Sequence, residues 1–173
     1  MEHAWMMKRL LGLQLALALT GAVANSLFNG SWKAPASLVY DVPASMVTFG
    51  FIAQVLIELF REGPRGYTVL RLVMFLAMFA VTAGRQFLGW SISGHLSCAL
   101  AVALVQAADP RLFLTERVLY CVPVPIVLYF RWTAGDYNTP SGDANHWQTY
   151  NAVLFALAWA VPVIAAGRLT KYS

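Results

Sequence analysis

The sequence predicts an all-α integral membrane protein, a six-transmembrane-helix bundle with both termini cytoplasmic. Three observations predict it. Of 173 residues, 59% are hydrophobic and 12% charged, where a soluble domain carries about 25% charged residues. The mean hydropathy is +0.60. The apolar residues fall into blocks of near membrane-spanning length, and the basic residues gather in alternate gaps between those blocks. Six spans of about 20 residues use most of the chain, so residues 1–173 read as one domain with short loops and no internal repeat.

The first span is 10–29. Lys8 and Arg9 before it, and Ala22-Val23-Ala24 within it, resemble a signal peptide with a cleavage site. The run continues to Phe28, and its removal would leave an odd number of spans, so it is read as a span. Asn25 to Gly30 form a turn signal. The loop that follows holds Trp32, Lys33, Pro35, Tyr40 and Pro43, a composition suited to an interfacial segment or a lid. The second span, 44–60, carries Gln54 and Glu58, and Glu58 lies at helical ion-pair spacing from Arg61. A tight basic turn leads into the third span, 67–84, which Arg85 closes. The short link to the fourth span, 92–108, brings the adjoining ends of these two spans together. The fifth span, 112–130, contains Pro123 and Pro125, which kink a membrane helix. The loop 131–146 is rich in Gly, Asn, Asp, Ser and Thr, the chemistry of turns, and the sixth span is 147–167.

Charge placement orients the bundle. With a cytoplasmic N-terminus, Lys8, Arg9, Arg61, Arg65, Arg71, Arg111, Arg117, Arg168 and Lys171 lie inside, and Lys33, Arg85 and Arg131 lie outside. That asymmetry obeys the positive-inside rule. The inner cations read as topology signals and not as a basic groove, so no nucleic-acid partner is expected. Cys98 and Cys121 fall within spans and read as small packed hydrophobes. No Cys-x-x-Cys, His-Glu-x-x-His or glycine-rich nucleotide loop is present, and neither a cofactor nor a metal is expected.

Two outer cations adjoin two histidines. His95 lies in Ser93-Gly94-His95 at the start of the fourth span, and His146 precedes Trp147 at the start of the sixth. Ser93 is a suitable helix N-cap, and Gly94 permits close approach of a ligand to the backbone. A helix N-terminus supplies free N–H groups and partial positive charge, so this segment reads as an anion site with an imidazole beside it. Guanidiniums hold phosphoryl oxygens, and paired imidazoles supply a nucleophile and an acid.

With these residues in place, the chain resembles the type-2 phosphatidic acid phosphatase superfamily. Its members have six transmembrane helices and three motifs on one face. Arg85 matches the arginine of the first motif, Ser93-Gly94-His95 the body of the second, and Arg131 and His146 the arginine and histidine of the third. The resemblance covers the whole architecture but few identities. Met78 stands where the family has lysine, Gln86 and Ile92 replace prolines, and Tyr150 stands where an aspartate orients the nucleophile. The gap between Arg131 and His146 is 14 residues, longer than the family's. Lys33 is a candidate substitute for the lysine, and Asp136, Asp143 or Tyr150 for the orienting group.

The resemblance implies a metal-independent membrane phosphatase on the periplasmic, or extracytoplasmic, side. In it His146 forms a phosphohistidine, His95 protonates the leaving oxygen, and Arg85, Arg131 and the Ser93-Gly94 backbone hold the phosphoryl group. The implied substrates are lipid phosphates or isoprenyl (pyro)phosphates, with membrane lipids and membrane proteins as further partners. Two alternatives stand beside it: a catalytically degenerate member serving as a structural or lipid-binding subunit, favoured by Met78 and Tyr150, and a histidine-ligated haem or metal carrier.

Overall fold

The computed structural model describes residue 12, residues 34–134 and residues 143–171. The expected first span lies outside the described residues except for Gly12, as do Lys33 and Asp136. All regular structure in the described residues is helical: α1 (Ala34–Glu62), α2 (Gly66–Ala83), a 3₁₀ turn (Gly84–Gln86), α3 (Gly94–Ala108), α4 (Leu114–Cys121), α5 (Pro123–Ala134) and α6 (Asp143–Leu169). Among the described residues, three stretches are long and apolar enough to cross a membrane: Val42–Glu62, Gly66–Ala83 and His146–Leu169.

The helices depart from the expected spans at three places. The first is the loop before the second span, which is helical from Ala34 onward. Pro35 sits in the first turn of α1, where no amide donor is needed. The second is 112–130, which is not one uninterrupted span. The Val122 amide closes α4 on the Val118 carbonyl at 2.9 Å, and Pro123, which has no N–H to give, starts α5. The third is the loop 131–146, which is helical at both ends: α5 runs to Ala134 and α6 starts at Asp143. His146 therefore lies within the first turn of α6 and not ahead of it.

α3 is the axis. It packs against each of the other helices, and Leu96, Ser97, Cys98, Ala99, Ala101, Val102, Ala103 and Val105 are all buried. Small side chains let neighbouring helices come close. Around them gather Val47, Phe51 and Val55 of α1, Phe75 and Met78 of α2, Val127 of α5, and Ala152 and Ala156 of α6. Phe51 and Phe75 meet with ring centroids 5.2 Å apart. Successive helices α1, α2 and α3 run antiparallel: the end of α1 meets the start of α2, and the start of α2 meets the end of α3. α6 begins at the same end as α3, where Asn151 Nδ2 donates to the Ser91 carbonyl at 3.0 Å.

At the far end of α3 lies a buried ionic cluster. Arg71 is fully buried. It donates to Glu58 of α1, to Gln106 Oε1 at 3.3 Å and to Asp109 Oδ2 at 3.5 Å. Arg111 clasps Asp109 through Nε at 3.0 Å and Nη2 at 2.6 Å, and its Nη2 lies 3.6 Å from Glu58. Gln54 Oε1 accepts from Gln106 at 2.8 Å and from the Tyr120 hydroxyl at 2.7 Å. The Tyr67 ring lies within 5.1 Å of the Arg71 guanidinium and 5.0 Å of that of Arg111. Burial works against the charge on Arg111, but the Asp109 hydrogen bonds and the nearby carboxylates outweigh it and hold the guanidinium above its ordinary pKa.

This cluster adds to two expectations. Arg71, read as one of the inner cations, is buried within the bundle and held by acids and acceptors from two other helices and the turn after α3. Glu58 reaches beyond its own helix to α2, so its role is not confined to a local pair with Arg61. Removing one partner from a buried pair leaves an uncompensated charge, which costs about 3–5 kcal/mol. Arg71→Ala is expected to lower the midpoint of thermal unfolding in detergent sharply. Arg65→Ala, which breaks the exposed 2.9 Å pair with Glu62, should cost less than about 1 kcal/mol. Equal midpoints for the two variants would contradict the structural role of the cluster.

Candidate functional site

The opposite end of α3 carries the residues singled out by their chemistry. After α2 the chain turns tightly through Gly84–Gln86, and the Trp90 amide bonds back to the Arg85 carbonyl at 3.0 Å. Gly89 takes φ +65° within this turn, a conformation that glycine adopts without strain. The turn returns the chain to α3 and sets Arg85 against its first residue. A Cβ on Gly94 would lie 3.1 Å from Arg85 Nη1 and 3.6 Å from Cζ. Nη1 is oriented by a 2.7 Å bond to the Thr82 carbonyl.

Arg85, Gly94 and His95 line one cavity of about 290 Å³. Ala44, Ser45, Thr48 and Phe49 of α1 form a second wall, and Phe79, Thr82 and Ala83 of α2 and Cys98 of α3 complete the lining. The cavity is thus polar and cationic toward the start of α3 and apolar at Phe49 and Phe79. Ser93 occupies the N-cap position with extended backbone, but its side chain makes no capping bond to the helix. The Ser93 carbonyl instead accepts from the Ser97 amide at 3.0 Å and the Ser97 hydroxyl at 2.8 Å. Ser93 is buried and is not among the lining residues.

Arg131 and His146 form a second group where α5 meets α6. Arg131 is fully buried and donates to Gln148 of α6. His146 stacks on Trp132 with ring centroids 4.0 Å apart and planes 14° apart. Neither Arg131 nor His146 lines the cavity that holds Arg85 and His95. Tyr150, one turn after His146, meets Trp132 edge-on at 5.8 Å and 87°. Its described contacts are aromatic, which does not make it an orienting partner for His146. Met78, where the resembled family has lysine, is buried in the hydrophobic core. Asp143 is the first residue of α6 and so starts a helix where a loop was expected. Asp136 and Lys33 fall outside the described residues.

The two groups share one end of the bundle. Asn151 of α6 bonds to Ser91, just ahead of α3, and Trp90 meets Phe155 edge-on at 6.5 Å. The sequence reading missed the α1 wall, Thr82 and Gln148. A signal for the wall existed in the small hydroxyl residues Ser45 and Thr48 at helical spacing. Among the described residues, no group of three or more His, Cys, Asp or Glu could hold a metal. No protein-family model, curated protein or solved structure matches the chain.

What the cavity can do is hold an anion: a guanidinium, an imidazole and the start of a helix converge on a recess with an apolar side. Gly94→Ala would press a methyl group onto the guanidinium and displace it by a few tenths of an ångström. We expect weaker binding of an alkyl phosphate at an unchanged unfolding midpoint, read by titration calorimetry and by a thermal melt. Undiminished binding would mean that Arg85 does not act from this position.

Proposed function

We propose that the chain is an integral membrane phosphatase acting on a lipid phosphate or isoprenyl (pyro)phosphate at the extracytoplasmic face. The observation that carries the reading is the Arg85 guanidinium set against Gly94 in a cavity that His95 also lines and that Phe49 and Phe79 make apolar on another side. Such a recess suits a phosphate head attached to an apolar tail. The asymmetry of basic residues supports the extracytoplasmic placement of this end.

In this reading Arg85, joined by Arg131 once it is released from Gln148, holds the phosphoryl oxygens and stabilises the charge that grows on them. His146 attacks phosphorus, forming a P–N bond as the P–O bond to the lipid breaks. His95 gives its proton to the departing oxygen and then takes one from the water that hydrolyses the phosphohistidine. The products are the lipid alcohol and inorganic phosphate, or, from a pyrophosphate, the lipid monophosphate and inorganic phosphate. Attack begins with His146 leaving its stack on Trp132.

That stack, with Met78 in the core and Tyr150 turned to Trp132, favours a second reading: a subunit that binds lipid phosphates without hydrolysing them. Phosphate release from phosphatidic acid and farnesyl phosphate by purified protein in chelator separates the two. Turnover is expected, with His146→Ala abolishing it and His95→Ala reducing it at least about a hundredfold, the scale of a lost acid–base catalyst. Acid-labile labelling of the protein from a radioactive phosphate ester should vanish in His146→Ala. Full activity in His146→Ala would remove the nucleophile assignment, and an inert wild type that still binds the ligands would leave the binding subunit.

A further inference from the structure

We infer that α1 is part of the phosphoryl site and that Ser45 is a binding residue for one phosphoryl oxygen, opposite Arg85 and His95. The inference rests on the phosphate-ester reading of the cavity and extends it to a helix that no motif implicates.

Three hydroxyls line the cavity, and two of them are spent within their own helices. Thr48 Oγ1 donates to the Ala44 carbonyl at 2.8 Å. Thr82 Oγ1 donates to the carbonyls of Met78 and Phe79 at 3.0 and 2.9 Å. Ser45 makes no hydrogen bond to a described residue, yet it lines the cavity with Arg85, Gly94 and His95. A polar group facing a recess favours a ligand that can accept its proton.

The dimensions fit one bridged anion. A cavity of about 290 Å³ is roughly 8 Å across if taken as a sphere, room for a phosphoryl group with a hydrogen bond on either side. A ligand held by Arg85 on the α2–α3 wall faces α1 across the cavity. There the available partners are Ser45 and the methyl of Ala44, with Phe49 one turn beyond Ser45 on the same wall. The order along α1 gives the ligand a direction, with its anionic group at Ser45 and its apolar chain at Phe49 and Phe79. The neighbouring small residues matter for the same reason: bulk at Ala44 or Ala83 would close the space between the walls.

The test is binding of dodecyl phosphate to the full chain in detergent, measured calorimetrically, so that its outcome does not depend on turnover. Ser45→Ala should weaken binding roughly ten- to a hundredfold, the range for a lost hydrogen bond to a charged oxygen. Ser45→Thr, which keeps the hydroxyl, should restore most of the loss. Thr115→Ala, on exposed α4 at the other end of the bundle, should bind as the wild type does. Unchanged affinity in Ser45→Ala, with binding lost in Arg85→Ala, would overturn the inference and leave the phosphate site standing. Failure of Ser45→Thr to restore affinity while both variants melt normally would also overturn it, since the hydroxyl would then not be the group that matters. No binding by the wild type would overturn the site and the inference together. Binding that depends on Ser45 without any hydrolysis would uphold the inference and defeat the phosphatase reading.

Discussion

The charge on Arg71 must be answered inside the bundle, and the rest of the arrangement depends on that answer. A guanidinium with no exposure needs acids and acceptors around it, and they come from separate parts of the chain: Glu58 from α1, Gln106 from α3 and Asp109 from the turn after it. Gln54 and Tyr120 extend the same set of bonds to α4. A cluster of this kind admits one register between the helices that supply it. Sliding α1 by a single turn would strand Glu58 and Arg71 apart. The apolar packing of α3 alone would tolerate small shifts among its alanines and valines. The ionic cluster does not.

Fixing that end fixes the other. α2 carries Arg71 and Met78 two helical turns apart, and so close to one stripe, and the 3₁₀ turn that follows it carries Arg85. Arg71 anchors the stripe, Met78 fills the core, and Arg85 emerges at the cavity. The acidic side chains described, Glu58, Glu62, Asp109 and Glu116, all belong to the Arg71 end. At the His95 end, the described hydrogen bond of Arg85 is to a carbonyl and that of Arg131 is to a side-chain amide. The end at which Arg85 and His95 line one recess is the end whose chemistry suits an anionic ligand.

Much of this was legible in the sequence, and the failures have physical causes. Helical class, the α2 boundaries and the return of the chain from Arg85 to Gly94 follow from hydropathy and a short link, because local constraints decide them. The division of 112–130 was signalled by Pro123 and Pro125 but read as a kink, since the sequence does not say whether neighbouring helices will bridge the break. Glu58 and Arg71 lie 13 residues apart in sequence, beyond any helical spacing rule, so their pairing depends on tertiary packing. The α1 wall of the cavity was missed because Ser45 and Thr48 are weakly polar and carry no motif. Burial of Arg131 and the stacking of His146 on Trp132 were equally invisible, as both depend on how α5 meets α6.

The length of α3 has a consequence of its own. Its 15 residues span about 22 Å, against roughly 30 Å for the hydrocarbon core of a bilayer. Both of its ends are polar, one through Gln106 and Asp109 and the other through the cavity of Arg85 and His95. In a membrane the insulating layer is therefore thinnest through the middle of the protein. A transmembrane voltage would fall over that shorter path, steepening the local field beside His95 relative to the surrounding lipid.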